Sequence, residues 1–483
     1  MKKLFVSLIA ILLFFTVSTK QIYALSEDQS EEIQLLLDDA SHISGVPGLS
    51  LSIVDGDETI YFSSGYANRE QKVPATNDTL YELASVSKAF TSMGILLLED
   101  QGLLSMTDSI EKYLPWLTFQ FEGKVVEMEN LTLNHFLFHT SGLTNITHFQ
   151  DIPQGDAEDM LVKTVETVVD AELDFQPGQQ YSYGTINYDV LGLVIELISG
   201  KSYEKFMMEE VFRPLELTNT YLYEEDALAN GELAQGYRVS FFKAGSYDAP
   251  VYAGNKPAGY IISTATDMAR WMKIQMGGID DIPERFERVI EKSHQGNDTV
   301  ASDNGLYYGG GWLINEEKDY IEHDGMNPTF SSQVVLFPDE GLGISLLANG
   351  VTTNNLHIVE EVKQIIDGNP AQSYERSAIH LSAILLSSFT IILVLLTISI
   401  IIYRRYRRKK TQQRNIKKGK FFFVSSLLIT IALLILLVIY PSLLGYDWKT
   451  LLVWQPYSLL TTLISLCLFS TCITWLTWDN LYK

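Results

Sequence analysis

The chain has 483 residues, 46% of them apolar and 19% charged, but the apolar residues are so unevenly spread that whole-chain averages conceal distinct segments. With the two ends set aside, residues 25–377 carry 20 Lys and Arg against 57 Asp and Glu, a net charge of −37, which disfavours nucleic acid and other polyanions as partners. Both cysteines, Cys467 and Cys472, lie near the C-terminus, so the body of the chain has no disulfide framework and must rest on a large core, which its length permits.

Residues 1–24 have the form of a secretory signal. Lys2 and Lys3 precede an apolar run from Leu4 to Val17, and Ile22-Tyr23-Ala24 offers a cleavage site. An uncleaved anchor is the alternative, although the run is short for a membrane span. From Pro47, PGLSLSIVDGDETIYFSSGYANRE alternates apolar with small or polar residues and breaks at Asp55-Gly56, which predicts a β-hairpin. Ser85 to Glu99 has apolar positions at helical spacing, with Gly102 beyond its end, and predicts a helix beginning at Ser85. The middle, Leu131 to Ile282, mixes helical stretches with Gly/Pro turns. The period then returns to two in LYYGGGWLI, DYIEH, TFSSQVVLFP and GLGISLLANG, and a last helix, Leu356 to Ile366, precedes the linker 368–380. Strands at both ends with helices inserted between them predict one α/β (α+β) unit whose sheet is closed late by the C-terminal part.

The tail, 381–483, contains three apolar stretches of membrane-spanning length, Leu381 to Tyr403, Phe421 to Leu444 and Leu451 to Leu476. Between the first two, Arg404 to Lys420 holds ten basic residues and no acidic one. A short loop of that charge stays in the cytoplasm, which places residues 25–367 outside the cell, and it would also meet anionic lipid. The spans themselves have few polar residues and read as a structural anchor.

Three places can carry chemistry. Ser85-Val86-Ser87-Lys88 sets a lysine one helical turn from a serine, and a buried lysine of lowered pKa can take the serine's proton. The spacing alone says little, since Ser109/Lys112, Ser202/Lys205 and Ser240/Lys243 share it. Ser85 differs by opening an apolar helix. Tyr183, in YSYGTINYDVLG, is a general base only if a neighbouring cation lowers its pKa, and otherwise a half-buried aromatic. His323, in EHDGMNPTFSS, would end a short strand. It would orient a substrate carboxylate or tune the tyrosine, or else bond only to the main chain. No cluster with metal-ligand spacing appears, and no cofactor is implied.

Taken in order, ASVSKAFTS, LTLNHFLFHTSGL, PGQQYSYGTINYDVLGLVIELISG, AGYIISTATDMARWM, GGGWLI and EHDGMNPTFSS resemble the serine β-lactamase and penicillin-binding-protein superfamily over Val46 to Asn349, nearest to class C β-lactamase-related hydrolases. The resemblance implies an antiparallel sheet flanked by helices with a helical insert. It also implies a serine hydrolase acting on small D-amino-acid peptides or esters of the cell envelope, with β-lactams as the alternative substrate. A catalytically degenerate ligand-binding module is the alternative of another class. By position, Ser85 would be the acylated nucleophile, Lys88 its proton partner and Tyr183 the base in acylation and the proton shuttle to the leaving group. His323-Asp324-Gly325 would stand where a lysine-threonine-glycine motif is usual, and backbone N–H groups of Ser85 and Met326 would form an oxyanion hole. Thr185 stands where an asparagine is usual and supplies one hydroxyl to substrate or lysine. Asn187 matches a second asparagine of the motif or caps the following helix. His139 falls in a block that usually supports the fold.

Overall fold

The computed structural model describes residues 25–144, 152–279, 281–297, 299–302, 305–372, 374, 376–407 and 416–482. The expected signal at 1–24, and 408–415 of the basic loop, lie outside the described residues.

The sheet expected from the two ends of the chain forms as expected. Its strands are β1 (Gly48–Asp55), β2 (Glu58–Asn68), β3 (Val73–Pro74), β4 (Tyr307–Tyr308), β5 (Leu313–Asn315), β6 (Tyr320–Met326), β7 (Ser331–Phe337) and β8 (Leu342–Ala348). They run in the order β4-β5-β6-β7-β8-β1-β2-β3, antiparallel throughout. The last strand in sequence therefore pairs the first, Leu51 opposite Leu346 and Ile53 opposite Ile344, and joins the halves of the chain. This pairing needs everything between residues 74 and 307 to leave the sheet and return.

Period-two alternation divides the work of the two faces. Leu49, Leu51 and Ile53 of β1 with Ile344 and Leu346 of β8 face α1 (Glu27–Ser44) and α5 (Asn355–Ile366), whose Leu37, Val359 and Val362 complete one core. On the other face the same strands present small residues, among them Ser52, Gly343 and Ser345, all buried. That clearance admits α4 (Ala265–Gln275), and a Cβ on Gly343 would come within 3.1 Å of Met272 Sδ. Trp271 of α4 stacks on Phe90 of α2 (Ser87–Asp100) at 3.9 Å between ring centroids, and α2 in turn packs on α3 (Ile186–Ser199). α2 is buried from Ser87 through Leu98, so the helix that begins at the expected active serine is a central helix of the domain.

Beyond α5 come three helices long and apolar enough to cross a membrane, within α6 (Ala378–Arg407), α7 (Ile416–Leu443) and α9 (Tyr457–Tyr482). α9 packs against both others and is tied to α7 by hydroxyl contacts, Thr430 Oγ1 lying 2.7 Å from Ser470 Oγ. The third span starts later than expected. Trp448–Trp454 is a separate helix, α8, capped by Asp447 Oδ1, which accepts from Thr450 N at 2.7 Å. It ends because Pro456 forces Gln455 into extended backbone, φ −100° and ψ 151°. α8 is held to the body by the hairpin Tyr237–Val239 and Ala244–Ser246. Arg238 Nη1 donates to the carbonyls of Leu452 and Val453 at 2.6 and 2.8 Å, capping the C-terminus of α8, and its guanidinium lies 3.8 and 4.1 Å from the ring centroids of Tyr247 and Tyr457.

Because the Phe90–Trp271 stack joins two helices through fully buried side chains, Trp271→Ala should lower the unfolding free energy by about 3–5 kcal/mol. Chemical denaturation of the full chain in detergent, followed by tryptophan fluorescence, measures this, and a loss below 1 kcal/mol would mean that the helices do not depend on the contact.

Candidate active site

Ser85 lies in a 3-10 turn, Ala84–Val86, that leads into α2, so the expected helix starts two residues later than the sequence reading has it. Ala84 takes a left-handed φ of +47°, a conformation that costs a non-glycine residue energy and turns the next side chain out of the helix line. From Leu83 to Phe90 only Ser85 is half-exposed, and all its neighbours are buried. The three other Ser/Lys pairs have ordinary uses. Ser109 and Ser202, for example, accept backbone N–H bonds at the starts of surface turns.

Lys88 is wholly buried, and its Nζ reaches three oxygens: Ser85 Oγ at 3.0 Å, Thr185 Oγ1 at 3.3 Å and the Ala258 carbonyl at 2.6 Å. Three acceptors match the three hydrogens of an ammonium. Burial nevertheless penalises the charge and pulls its pKa down to about 7, with Asp189 and Asp324 opposing the fall. Asp189, on α3, is itself fully buried. Asn255 Nδ2 donates to its Oδ2 at 2.6 Å, its Oδ1 has no partner, and burial holds its carboxyl well above the usual range.

Tyr183 faces the same point from a different segment. Its hydroxyl is buried, turned toward Ser85, and without a hydrogen bond of good geometry. The expectation that a lysine would lower its pKa is corrected here. Lys88 Nζ sits 5.0 Å from the centre of the Tyr183 ring, over its face, and burial pushes the phenol well above its ordinary value. A cation on the ring face does little for a charge on the oxygen, so Tyr183 stays a protonated phenol.

The turn carrying Tyr183 is built on His139, which the sequence reading sets aside as structural. His139 Nδ1 accepts from Gly184 N at 3.3 Å and from Asn187 Nδ2 at 3.1 Å, and its carbonyl accepts from Ser182 N at 3.0 Å. Its ring lies 4.4 Å from that of Tyr183 and 4.5 Å from that of Tyr308. A Cβ on Gly184 would come within 2.4 Å of the Leu143 carbonyl, which excludes any side chain directly after the tyrosine. Asn187 neither caps α3 nor lines the cavity. It lies inside the helix, fully buried, accepting from Ser141 Oγ at 2.6 Å and donating to His139. Thr185 does reach the lysine and also lines the cavity.

His323 lies in the middle of β6, which runs on to Met326, and does not end the strand. Its Nδ1 is 2.6 Å from the Asp324 carbonyl and its Nε2 is 3.0 Å from the Tyr308 hydroxyl. A carbonyl only accepts, so Nδ1 carries the proton and Nε2 accepts from the tyrosine. Burial holds the imidazole well below its ordinary pKa, so it is neutral, with both nitrogens engaged within the protein. Gly325 lets β6 press on the serine turn, since a Cβ there would meet the Leu83 carbonyl at 2.3 Å. Asn327, just beyond the strand, donates to Glu82 Oε2 at 2.6 Å and to the Gly259 carbonyl at 2.8 Å, fixing the segment that offers the Ala258 carbonyl to Lys88.

These groups surround a cavity of about 480 Å³ lined by Ser85, Tyr181, Tyr183, Thr185, Tyr260, His323, Asp324, Met326 and Asn327 among others. No group of His, Cys, Asp and Glu able to hold a metal ion occurs among the described residues. The sequence reading missed Asp189, Asn255, Tyr308 and the Ala258 carbonyl. None has a local signature, because each acts through a partner at least 15 residues away.

Removing the His139 imidazole leaves the buried Gly184 N–H and the Asn187 amide without their acceptor. His139→Ala should therefore lower stability by at least about 1–3 kcal/mol, measured by denaturant unfolding; an unchanged midpoint would show that the turn holds itself.

The family model Beta-lactamase matches residues 33–364. Protein flp of Staphylococcus aureus strain N315 is 28% identical over 331 residues, 67% of this chain and 64% of its own length, so the chain spans a little under two thirds of that relative. Penicillin-binding protein 4* of Bacillus subtilis strain 168 is 25% identical over 378 residues, 73% of this chain and 80% of its own. The octameric penicillin-binding protein homologue from Pyrococcus abyssi shares the fold at a TM-score of 0.61 and 22% identity, covering 76% of this chain and 81% of that one.

Proposed function

From the premise that this chain belongs to the β-lactamase family, within the serine β-lactamase and penicillin-binding-protein superfamily, we propose that it is a serine hydrolase that forms an acyl-enzyme at Ser85. The observation that carries the reading is the triad of contacts at one cavity. A half-exposed Ser85 hydroxyl is bonded to a buried Lys88 amine at 3.0 Å, and the Tyr183 hydroxyl waits beside it without a partner.

In this reading the neutral Lys88 amine takes the proton as Ser85 Oγ adds to a substrate carbonyl. The tetrahedral oxyanion is met by the backbone N–H groups of Ser85 and Met326, both on the cavity wall. Collapse breaks the bond to the leaving atom, to which the Tyr183 hydroxyl gives a proton, and the proton on Lys88 restores the phenol. Water then enters by the reverse sequence and releases the acyl group as an acid. The base is the lysine and the acid is the tyrosine, because burial moves the first down to about 7 and the second up. His323 lines the cavity as a neutral imidazole, held by the Tyr308 hydroxyl.

The substrate class we infer is a small D-amino-acid peptide or ester of the cell envelope, supported by kinship with penicillin-binding protein 4*. The three apolar helices and the basic segment Arg404 to Lys420 support a multi-pass membrane protein with residues 25–367 outside the cell.

Intact-mass analysis of the full chain, incubated with a panel of D-Ala-D-Ala peptides, D-aminoacyl esters and penicillins, should show a covalent adduct that Ser85→Ala abolishes. A folded protein that forms no adduct with any of them, nor with a fluorophosphonate, would favour a ligand-binding module instead. The lysine gives a second expectation. Its unprotonated fraction rises from about 10% at pH 6 to about 90% at pH 8, so the acylation rate should climb about tenfold across that range and level off above it. Lys88→Met should cut the rate about 10²–10⁴-fold and remove that limb from the stopped-flow pH profile.

A further inference from the structure

The cavity has a wall that the hydrolase domain does not supply. Tyr446, Lys449, Thr450, Leu451, Trp454 and Gln455 line it, and all belong to the stretch between the second and third apolar helices. The stretch is built for that place. Asp447 starts α8, Pro456 stops it, and Arg238 grips its last carbonyls while stacking between Tyr247 and Tyr457. The backbone is further tied by Ser458 N donating to the Ser240 carbonyl at 3.3 Å.

The wall also brings what the rest of the cavity lacks. Lys449 is the one lysine or arginine among the described lining residues, and it is exposed. His323 cannot serve as a cation, because one ring nitrogen donates to the Asp324 carbonyl and the other accepts from Tyr308. The buried Lys88 Nζ is engaged by three oxygens and is not part of the lining. Asp324 lines the same cavity, so an anionic group entering it is repelled from the β6 side and drawn toward α8. Trp454, Leu451 and Tyr446 supply apolar surface for the carbon skeleton around such a group.

Resting on the acyl-enzyme reading, we propose that Lys449 on α8 is a specificity residue: it receives an anionic group, a carboxylate or phosphate, carried by the acyl donor that Ser85 attacks. The substrate is then an anionic ester or amide, and its recognition depends on the tail as well as on the hydrolase domain.

The test uses the full chain in detergent and two fluorophosphonates of equal length, one ending in a carboxylate and one in the neutral carboxamide. The parent should react with the carboxylate probe about 10- to 100-fold faster, the range expected for a charged hydrogen bond. Lys449→Glu should abolish or reverse that preference, and continued labelling of Ser85 by the neutral probe reports that the fold is intact. Lys449→Arg should keep the preference, and Lys205→Glu, a charge reversal at an exposed position outside the cavity, should leave it unchanged. Equal rates for the two probes in the parent, or a preference that survives Lys449→Glu, overturn the inference while leaving the hydrolase reading in place. Failure of both probes to label the parent at Ser85 overturns the hydrolase reading and this one with it.

Discussion

The site is organised around one buried amine. Lys88 occupies the interior of a helix that is closed to solvent on all sides from Ser87 to Leu98, a position where a charge is disfavoured and an unpaired donor is costly. The chain meets this by bringing three oxygens to Nζ from three separate segments, the serine turn, the start of α3 and the short helix Lys256–Gly259 before α4. Each of those segments is fixed by something else again. Asn327 holds the end of that short helix, His139 holds the turn before α3, and β6 lies against the serine turn where Gly325 gives it room. The contacts that satisfy the lysine are thus the contacts that assemble the cavity.

The same burial sets the protonation states apart. Desolvation acts on every ionisable group here, but its direction depends on the charge type: it lowers Lys88 and His323 and raises Tyr183 and Asp189. A free amine next to a protonated phenol is the arrangement that acyl transfer needs, one group to take a proton and one to give it. What gives way is the expected lowering of the tyrosine pKa by a lysine, because burial raises it instead.

How far the sequence could be read follows from the range of the interactions. The sheet was legible because alternation along β1, β7 and β8 is local, and Ser85 was legible as a serine opening an apolar helix. Order along the chain then joined it to Tyr183 and His323. Extent was less legible: β6 continues through Asp324-Gly325, since its pairing to β7, Asp324 opposite Gln333 and Gly325 opposite Ser332, outweighs the local turn signal. Asn187 looked like a helix cap from its place beside Thr185, yet its amide is spent on His139, 48 residues earlier. Asp189, Tyr308 and the Ala258 carbonyl could not be found at all, because burial and a distant partner, not residue type, give them their roles.

The tail shows the same limit at larger scale. Apolar runs reveal spans, and the run from Leu451 to Leu476 was continuous enough to be taken as one. Pro456 divides it, and Arg238, more than 200 residues away in sequence, binds the detached turn to the body. If the basic segment after α6 lies in the cytoplasm, two crossings separate the hydrolase domain from α8, and an even number returns the chain to the side it started from. Contact between α8 and the cavity is therefore compatible with a bilayer, and it ties the geometry of Ser85 to that of the spans. An isolated hydrolase domain would lose one wall of its cavity, and the cation at its mouth would go with it.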